Sequence, residues 1–313
     1  MVFEALLARL FGQGEGLDID ELARRLGVSV ERLGAVQPSY REFTIPKRSG
    51  STRRISAPND DLKELQQRVR KRLIHRLRAH WAATGFERRH SIVTNAVVHT
   101  GRDVVIRMDI KDFFANTSAK RVERYFRKIG WNRKAARTLT RLCTHRGGLP
   151  QGAPTSPRLS NLINFRLDAR LAGLAETLGA VYTRYADDIT FSLVGADSQT
   201  PRDTPVHFPQ ERRTRGVAPA AIRNAVSSAI VMTKRILAEE GYSLHMRRKL
   251  HIRRRHQQQL VTGLVVNERV NLPRATRRWL RAVEHHVATG RDATLTPEQL
   301  EGWRALQSMV TRT

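Results

Sequence analysis

Residues 183–192 read Thr-Arg-Tyr-Ala-Asp-Asp-Ile-Thr-Phe-Ser and place two adjacent carboxylates, Asp187 and Asp188, inside an apolar, β-prone run. Desolvated like charges repel and each resists ionisation, so something positive must offset them. Neighbours on a plain strand point to opposite faces, whereas a tight strand-turn-strand with the pair at its tip lets both reach one cation site. Hard carboxylate oxygens suit magnesium. The stretch therefore predicts a β-hairpin that presents a divalent metal site.

A second apolar strand with an acidic end lies upstream. Residues 104–110 read Val-Val-Ile-Arg-Met-Asp-Ile and place Asp109 at the end of a predicted buried strand. An Asp-Asp pair by itself is more often a solvated turn, but two acid-ended strands in one chain favour a shared site. We expect two magnesium ions, about 4 Å apart, bridged by Asp109 and Asp187, to activate an attacking hydroxyl and stabilise a leaving pyrophosphate.

The charge of the chain predicts a polyanionic partner. Lys and Arg number 56 against 29 Asp and Glu, a formal net charge of +27. The basic residues are spread along the whole length, which favours a cleft-lining surface over a detachable tail. Many Arg-phosphate contacts would make binding steeply salt-dependent. The alternative is a merely supercharged surface.

Length and cysteine content indicate the size of the fold and the compartment of the protein. At 313 residues the chain is long enough for two or three subdomains around a sizeable core. Cys143 is the single cysteine, so no internal disulfide or Cys-rich zinc site is expected, which suits a reducing cytoplasm. The longest apolar stretches are far shorter than a membrane span, and we expect neither an export signal nor an anchor.

The N-terminal third combines helices with a basic hairpin. Residues 17–36 predict two short helices, either a packing hairpin or the start of a DNA-reading helix-turn-helix. Residues 40–58 predict a β-hairpin whose cations, Lys47 and Arg53 among them, would hold a triphosphate or simply protect an edge strand. Residues 61–80 predict one basic amphipathic helix.

The remaining segments surround a glycine-rich loop. Residues 147–157 contain Leu-Pro-Gln-Gly, and Ser156 as cap with Pro157 predicts a helix that runs through Leu178. The long loop over 195–219 is either functional or disordered. Further on, the patterns predict a helix over 219–240, strands over 244–254 and 261–267, a basic helical segment, and a last helix from Thr296 through Val310.

Taken in order, the acid-ended strand, the Leu-Pro-Gln-Gly loop and the Tyr-Ala-Asp-Asp hairpin resemble the palm of a reverse transcriptase. The segments Asn95-Ala-Val-Val-His99 and Val261-Thr-Gly263 are similar to two hallmarks of retron reverse transcriptases. The resemblance implies an α+β fold in the shape of a right hand, with fingers, an antiparallel palm sheet and a helical thumb. It implies an N-terminal helical segment (1–39), fingers (40–100 with part of 119–150), a palm (101–262 with an insertion over 195–219) and a thumb (263–313).

The resemblance also assigns the site residues. It makes Asp109, Asp187 and Asp188 the catalytic ligands of two Mg²⁺ ions. It implies a nucleotide-binding set in which Phe114 is a steric gate against a 2′-hydroxyl and Gln151 lies beside the incoming nucleotide. The rest of that set consists of Lys47 and Arg53 at the triphosphate, Asp112, and Lys249 as the proton donor to pyrophosphate. The pattern departs at 245–250, where His-Met-Arg-Arg-Lys-Leu has one residue more than the family spacing between its first position and Lys249.

The implied partners are nucleic acids and deoxynucleoside triphosphates. Retron enzymes reverse-transcribe part of a cognate structured noncoding RNA from the 2′-hydroxyl of an internal guanosine, make branched multicopy single-stranded DNA, and serve antiphage defence with an effector. We expect that effector to be a separate polypeptide. The implied RNA-binding residues are Asn95, His99, Thr262, Gly263, Arg274, Arg277, Arg278 and Arg281, the arginines gripping duplex RNA by its backbone and shape.

Other interpretations stay open at this point. Within the same enzyme class, the chain could be a group II intron or diversity-generating type reverse transcriptase. In a different class it could be an RNA-binding scaffold or antitoxin without catalysis, although the intact acidic triad argues against this. A DNA repressor built on residues 17–36 is the weakest alternative.

Overall fold

The computed structural model describes residues 16–46, 50, 52–195, 219–245 and 250–311. The α-helices are α1 (Ile19–Leu26), α2 (Val30–Ala35), α3 (Asp60–Arg68), α4 (Ile92–Val97), α5 (Phe113–Asn116), α6 (Ala119–Lys128), α7 (Arg133–Cys143), α8 (Ser156–Ile163), α9 (Phe165–Thr177), α10 (Pro219–Glu239), α11 (Arg274–Ala288) and α12 (Pro297–Thr311). The strands are β1 (Tyr40–Pro46), β2 (Thr52–Pro58), β3 (Val104–Asp109), β4 (Ala180–Tyr185), β5 (Asp188–Leu193), β6 (His251–Arg254), β7 (Leu260–Val261) and β8 (Leu264–Val265).

The chain divides into two compact units. Unit 1 consists of the described parts of Met1–His80 and Asp112–Arg166, and unit 2 of those of Trp81–Lys111 and Leu167–Thr313. The predicted limits of fingers, palm and thumb stay a prediction.

The N-terminal helices α1 and α2 belong to the core of unit 1. Asp18 and Ser29 cap them by accepting bonds from the backbone N–H of the third helical residue, a role typical of Asp and Ser side chains. Leu22, Leu26 and Leu33 are at most 1% exposed and pack in one cluster with side chains of α3, α6, α7 and α8. The cluster favours the packing hairpin over a DNA reader, because the apolar side chains of both helices are buried in the core of unit 1.

The basic hairpin of unit 1 has the predicted form. β1 and β2 pair antiparallel from Tyr40↔Pro58 to Pro46↔Thr52. The predicted helix over 61–80 was wrong in its second half, since α3 passes into a π-helix over Val69–Ile74. The i→i+5 period of a π-helix puts Val69 and Ile74 on one face, and both are fully buried.

Unit 2 is built on a four-stranded antiparallel sheet with the order β4-β5-β3-β6. β3 pairs with β5 from Val104↔Leu193 to Asp109↔Asp188, and with β6 on its other side. Strands β3 and β5 at the centre and β4 at the edge are all buried along most of their length. Such burial on both faces explains why their sequences read as nearly continuous apolar runs.

The helix predicted from Ser156 through Leu178 is two helices. Thr155 is the N-cap, Ser156 and Pro157 are the first helical residues, and the chain breaks at Asn164 between α8 and α9. The Asn164 side-chain Nδ2 donates to the Ser160 carbonyl at 2.8 Å, the acceptor that a continuous helix would bond through its backbone. The side chain thus replaces the helical bond at the break.

Two strand predictions in unit 2 need correction. The strand expected over 244–254 is confined to β6, with Leu244 forming an isolated bridge to Ile110 and residues 246–249 lying outside the described ranges. The single strand expected over 261–267 is a hairpin of β7 and β8, because Thr262 and Gly263 have φ values of +48° and +85°. Positive φ at both central residues is typical of a tight type I′ turn.

The C-terminal helices follow the prediction. Thr296 and Gln299 form the expected reciprocal cap at the start of α12, with bonds of 3.0 and 3.3 Å. Leu280 of α11 and Val310 of α12 pack in a second core with Val93, Val105 and Leu264. None of the helices in the described ranges combines the length and apolar character needed to cross a bilayer.

Candidate active site

The turn between β4 and β5 carries the Asp pair. Tyr185 and Asp188 are the last paired residues, so Ala186 and Asp187 form a two-residue connection. Ala186 has φ +57°, the left-handed conformation that tight hairpins require at the first turn position. The turn confirms the predicted hairpin, with Asp187 at the tip and Asp188 as the first residue of β5.

Asp109 lies directly opposite Asp188 on the neighbouring strand. The Ile110 N–H donates to the Asp187 carbonyl at 2.9 Å, which ties the turn to the end of β3. Like charges directly across an antiparallel pair destabilise a sheet, so the pair needs a cation. In this structure the Arg107 Nη2 lies 3.5 Å from both Asp188 carboxylate oxygens and supplies part of that charge.

A histidine that the sequence did not single out lies at the same strand end. The His245 N–H donates to the Asp109 carbonyl at 2.9 Å, and its Nε2 lies 3.7 Å from Asp109 Oδ1. Lys249, the predicted proton donor, lies outside the described residues. Across the described ranges no group of three or more His, Cys, Asp or Glu side chains is already arranged as a metal site. The catalytic assignment of the triad therefore stays a prediction.

On one face of the sheet, a buried ion pair holds the turn. The Arg184 guanidinium donates to both carboxylate oxygens of Asp168 at 2.7 Å, and both side chains are fully buried. Its third nitrogen donates to the Ala186 carbonyl at 2.9 Å, and Tyr182 donates to Asp168 at 2.8 Å. Sequence reasoning missed this pair, although an Arg inside an apolar strand signals a buried partner.

On the other face, a buried histidine bridges the two strands of the hairpin. His99 contacts Ser192 Oγ through Nδ1 at 2.7 Å and Thr183 Oγ1 through Nε2 at 2.8 Å. Burial, with Arg102 as a smaller cause, lowers the pKa of His99 to about 3. The ring is therefore neutral at physiological pH, with one nitrogen donating and the other accepting.

The free energy of unfolding should decrease as the pH is lowered, because the pKa of His99 is depressed in the folded protein. Its pKa is about 3 in the folded protein against 6.5 for an ordinary histidine. Between these values the unfolded chain binds a proton that the folded chain does not, so stability is lost as pH drops through this window. This group contributes a slope of up to about 1.4 kcal/mol per pH unit. Urea unfolding from pH 7 to pH 4 should show a shallower slope for His99→Gln, and parallel curves would contradict the prediction.

The two hallmark segments are packed against each other. Asn95 in α4 is 1% exposed and its Oδ1 lies 2.7 Å from Thr84 Oγ1. Thr262 donates through Oγ1 to the Ile92 carbonyl at 2.8 Å, which joins the β7–β8 turn to α4. Because Asn95 and His99 are buried, their predicted direct contact with RNA is not available in this conformation. Gly263 is exposed at the turn and stays a candidate contact.

The predicted nucleotide-binding residues that lie in the described ranges all belong to unit 1. Arg53 is exposed on β2, and Asp112 precedes α5 with φ +47°. Phe114 is half-buried against the unit 1 core. The Gln151 carbonyl accepts from the Ser56 N–H at 2.8 Å, so the glycine-rich loop is bonded to β2. Lys47 lies outside the described residues, and the roles of the whole set stay predictions.

The glycine-rich loop approaches β2 so closely that it needs glycine. A Cβ on Gly152 would lie 2.9 Å from Ile55 Cγ2 and 3.0 Å from the Ser56 carbonyl, and its φ is +127°. Any side chain there would push the loop away from the hairpin.

A basic surface lies where α11 begins. Arg274, Arg277, Arg278 and Arg281 are exposed along this helix. A cavity of about 210 Å³ adjoins them and is lined by Gln258, Val265, Asn267, Glu268, Arg269, Asn271, Leu272, Arg274 and Arg277. Three arginines and several amides around one cavity are groups that phosphates and base edges prefer.

Comparison with known proteins identifies the class. Residues 45–210 match the family described as reverse transcriptase (RNA-dependent DNA polymerase). This match fits the antiparallel sheet with its acidic turn and gives the fold as that of a right-hand polymerase. A solved telomerase from Candida albicans superposes with a TM-score of 0.48 at 10% identity, over 91% of this chain and 54% of that one. That likeness is remote, and the assignment rests on sequence.

Relatives with higher sequence identity show which kind of reverse transcriptase the chain is. Retron Mx162 reverse transcriptase from Myxococcus xanthus is 36% identical over 97% of this chain and 66% of its own length. Retron Ec86 reverse transcriptase from Escherichia coli is 31% identical over 91% of this chain and 82% of its own length. The chain therefore belongs to the retron reverse transcriptases, a family of RNA-directed DNA polymerases.

Proposed function

We propose that this chain reverse-transcribes part of a cognate structured noncoding RNA, starting from the 2′-hydroxyl of an internal guanosine. The product would be a branched RNA-DNA hybrid, multicopy single-stranded DNA. The observation that carries the proposal is the opposed pair Asp109 and Asp188 beside the Asp187 turn, in a chain with both hallmark segments. Antiphage defence with a separate effector protein, in the cytoplasm, completes the proposal.

Two Mg²⁺ ions are the proposed cofactors. The residues fit them, because an opposed carboxylate pair is repulsive without a cation and hard oxygen ligands suit this metal. Asp109, Asp187 and Asp188 would hold the ions, whose chemistry is to activate the attacking hydroxyl and stabilise the leaving pyrophosphate. Arg107, 3.5 Å from Asp188, also offsets part of the charge of this carboxylate.

The remaining nucleotide-binding roles are proposed from the family resemblance. Arg53 and Lys47 would hold the triphosphate of the incoming deoxynucleotide as cationic clamps. The Phe114 ring would lie beneath the sugar and exclude a 2′-hydroxyl, with Gln151 beside the nucleotide. Asp112 and Lys249 complete the set. Fingers, palm and thumb would follow the predicted limits.

RNA binding should weaken when Arg274 and Arg277 are both replaced by alanine. Both side chains line the cavity at the start of α11, where they can reach phosphates. Each lost phosphate contact should lower the slope of log K against log salt by about 0.7 to 0.9. Binding titrations over a salt series measure this slope. Arg24→Ala is the control, since Arg24 is engaged with Glu21 on α1, and an unchanged slope in the double variant would refute the assignment.

Sequencing the nucleic acid that copurifies with the protein tests the function. The expected result is a branched RNA-DNA species that grows when deoxynucleotides and Mg²⁺ are added. Linear products primed by other RNA would instead support a group II intron or diversity-generating type enzyme. Bound RNA without any DNA synthesis would support the scaffold interpretation and overturn the proposal.

A further inference from the structure

The catalytic turn is supported by a short segment from outside the hairpin. Ala83 forms a parallel bridge with Arg184 at the open edge of β4. The Arg184 N–H donates to the Ala82 carbonyl at 2.8 Å, and the Thr84 N–H donates to the Arg184 carbonyl at 2.9 Å. This pairing adds a partial extra strand, residues 82–85, to the sheet beside β4. We call this segment the brace.

The brace contacts the turn itself through Gly85. A Cβ at this position would lie 2.6 Å from the Ala186 backbone nitrogen and 3.2 Å from the Tyr185 carbonyl carbon. Real Cβ atoms essentially never come within 3.0 Å of backbone, so a side chain would displace the brace or the turn. The residue that precedes Asp187 is therefore fixed from this side by backbone packing against a glycine.

The brace is in turn fixed by the first hallmark segment. Thr84 is fully buried, and its Oγ1 lies 2.7 Å from Asn95 Oδ1 and 3.2 Å from the Arg184 carbonyl. Just past the end of α4, His99 bonds Thr183 and Ser192 on the two strands of the hairpin. Both polar side chains of the segment thus bond to the hairpin or to the brace beside it.

We infer that Thr84, Gly85, Asn95 and His99 are positioning residues that hold the Asp187 turn in place for nucleotide addition. This inference deepens the proposed function and rests on it for the catalytic consequence. The hallmark segment Asn95–His99 then acts on catalysis through the palm hairpin and makes no direct contact with RNA. Buried hydroxyl, amide and imidazole groups suit this role, because hydrogen bonds between buried polar side chains favour one arrangement of the elements that carry them.

Two variants disturb the brace, and two others control for side effects. Gly85→Ala adds the clashing Cβ, whereas Gly173→Ala adds one in α9 with no atom within 4 Å. Thr84→Val removes the hydroxyl at nearly constant volume, and Thr84→Ser retains it. Amide hydrogen exchange over 183–188 in the RNA-free protein, the maximal rate of single-nucleotide addition and the Kd for RNA are the three readouts.

Exchange at the turn should rise about tenfold in Thr84→Val, as expected for the loss of one buried hydrogen bond. The maximal rate should fall about 10²-fold in Gly85→Ala, the effect of a misplacement on the order of 1 Å. KM for deoxynucleotide and the Kd for RNA should stay unchanged, and Thr84→Ser and Gly173→Ala should behave as wild type. If Gly85→Ala fails to fold, the comparison of Thr84→Val with Thr84→Ser tests the inference by itself.

A double-mutant cycle tests the link to the hallmark segment. If Thr84 and Asn95 act as one unit, Thr84→Val with Asn95→Leu should raise exchange no more than either change alone. Weaker RNA binding by Asn95→Leu with normal exchange at the turn would overturn the inference and make the segment an RNA contact. The exchange experiment needs no RNA, so a wild-type protein that makes no DNA would refute the proposed function while the positional result stands.

Discussion

DNA synthesis should fall by roughly 10³-fold or more in Asp187→Asn, because the amide has the size of the carboxylate without its charge. A divalent ion contributes several kcal/mol to a phosphoryl-transfer transition state, and each 1.36 kcal/mol is a factor of ten in rate. Asp187 is at the tip of a hairpin whose backbone is bonded to β3 and to Arg184, so the substitution leaves the fold intact. Single-turnover extension on bound RNA with saturating Mg²⁺ measures the loss.

The same variant should bind RNA with unchanged affinity, since the proposed RNA contacts lie on α11 and at the β7–β8 turn. Asp20→Asn is the matched control, because this exposed carboxylate in α1 belongs to no proposed site. Extension by Asp187→Asn at the wild-type rate would remove Asp187 from the catalytic set. Loss of RNA binding together with synthesis would show that the substitution acts on the fold.

The β4–β5 hairpin with its acidic turn could be predicted from the sequence because its signals are local. Alternating and continuous apolar residues mark β3 and β5, and the acids at their ends mark a site. The register that puts Asp109 opposite Asp188 could not be predicted, because it depends on pairing between distant segments. The bonds from Arg184 to Asp168 could not be predicted for the same reason. An Arg in an apolar strand indicates that a buried partner exists, but not which residue it is.

Two errors in the predicted secondary structure have local causes that the residue types did not indicate. Thr262 is β-branched yet has φ +48°, so residues 261–267 read as one strand and not as a hairpin. Asn164 ends α8 through a side-chain bond that competes with the helical one. The supporting role of the brace was missed because Gly85 and Thr84 match no motif, and their partners are contributed by β4 and α4.

Arg184→Ala should lower the free energy of unfolding by about 3–5 kcal/mol, because it leaves the Asp168 carboxylate buried without its counter-ion. Both side chains are fully buried and joined by two bonds of 2.7 Å. Arg170→Ala is the matched control: its ion pairs with Glu239 and Glu240 are partly or largely exposed, so solvent screens them and their loss should cost far less than that of the buried pair. Urea denaturation of the three proteins measures both losses.

Replacing the pair together separates stability from catalysis. Arg184→Met with Asp168→Leu removes both charges and retains apolar volume, and such exchanges are often neutral or stabilising, so most of the lost stability should return. The bond from Arg184 to the Ala186 carbonyl does not return, and the Asp187 turn loses its support on that face. We therefore expect a stable double variant whose rate of nucleotide addition stays low. A double variant that recovers its full rate would show that this bond does not position the turn.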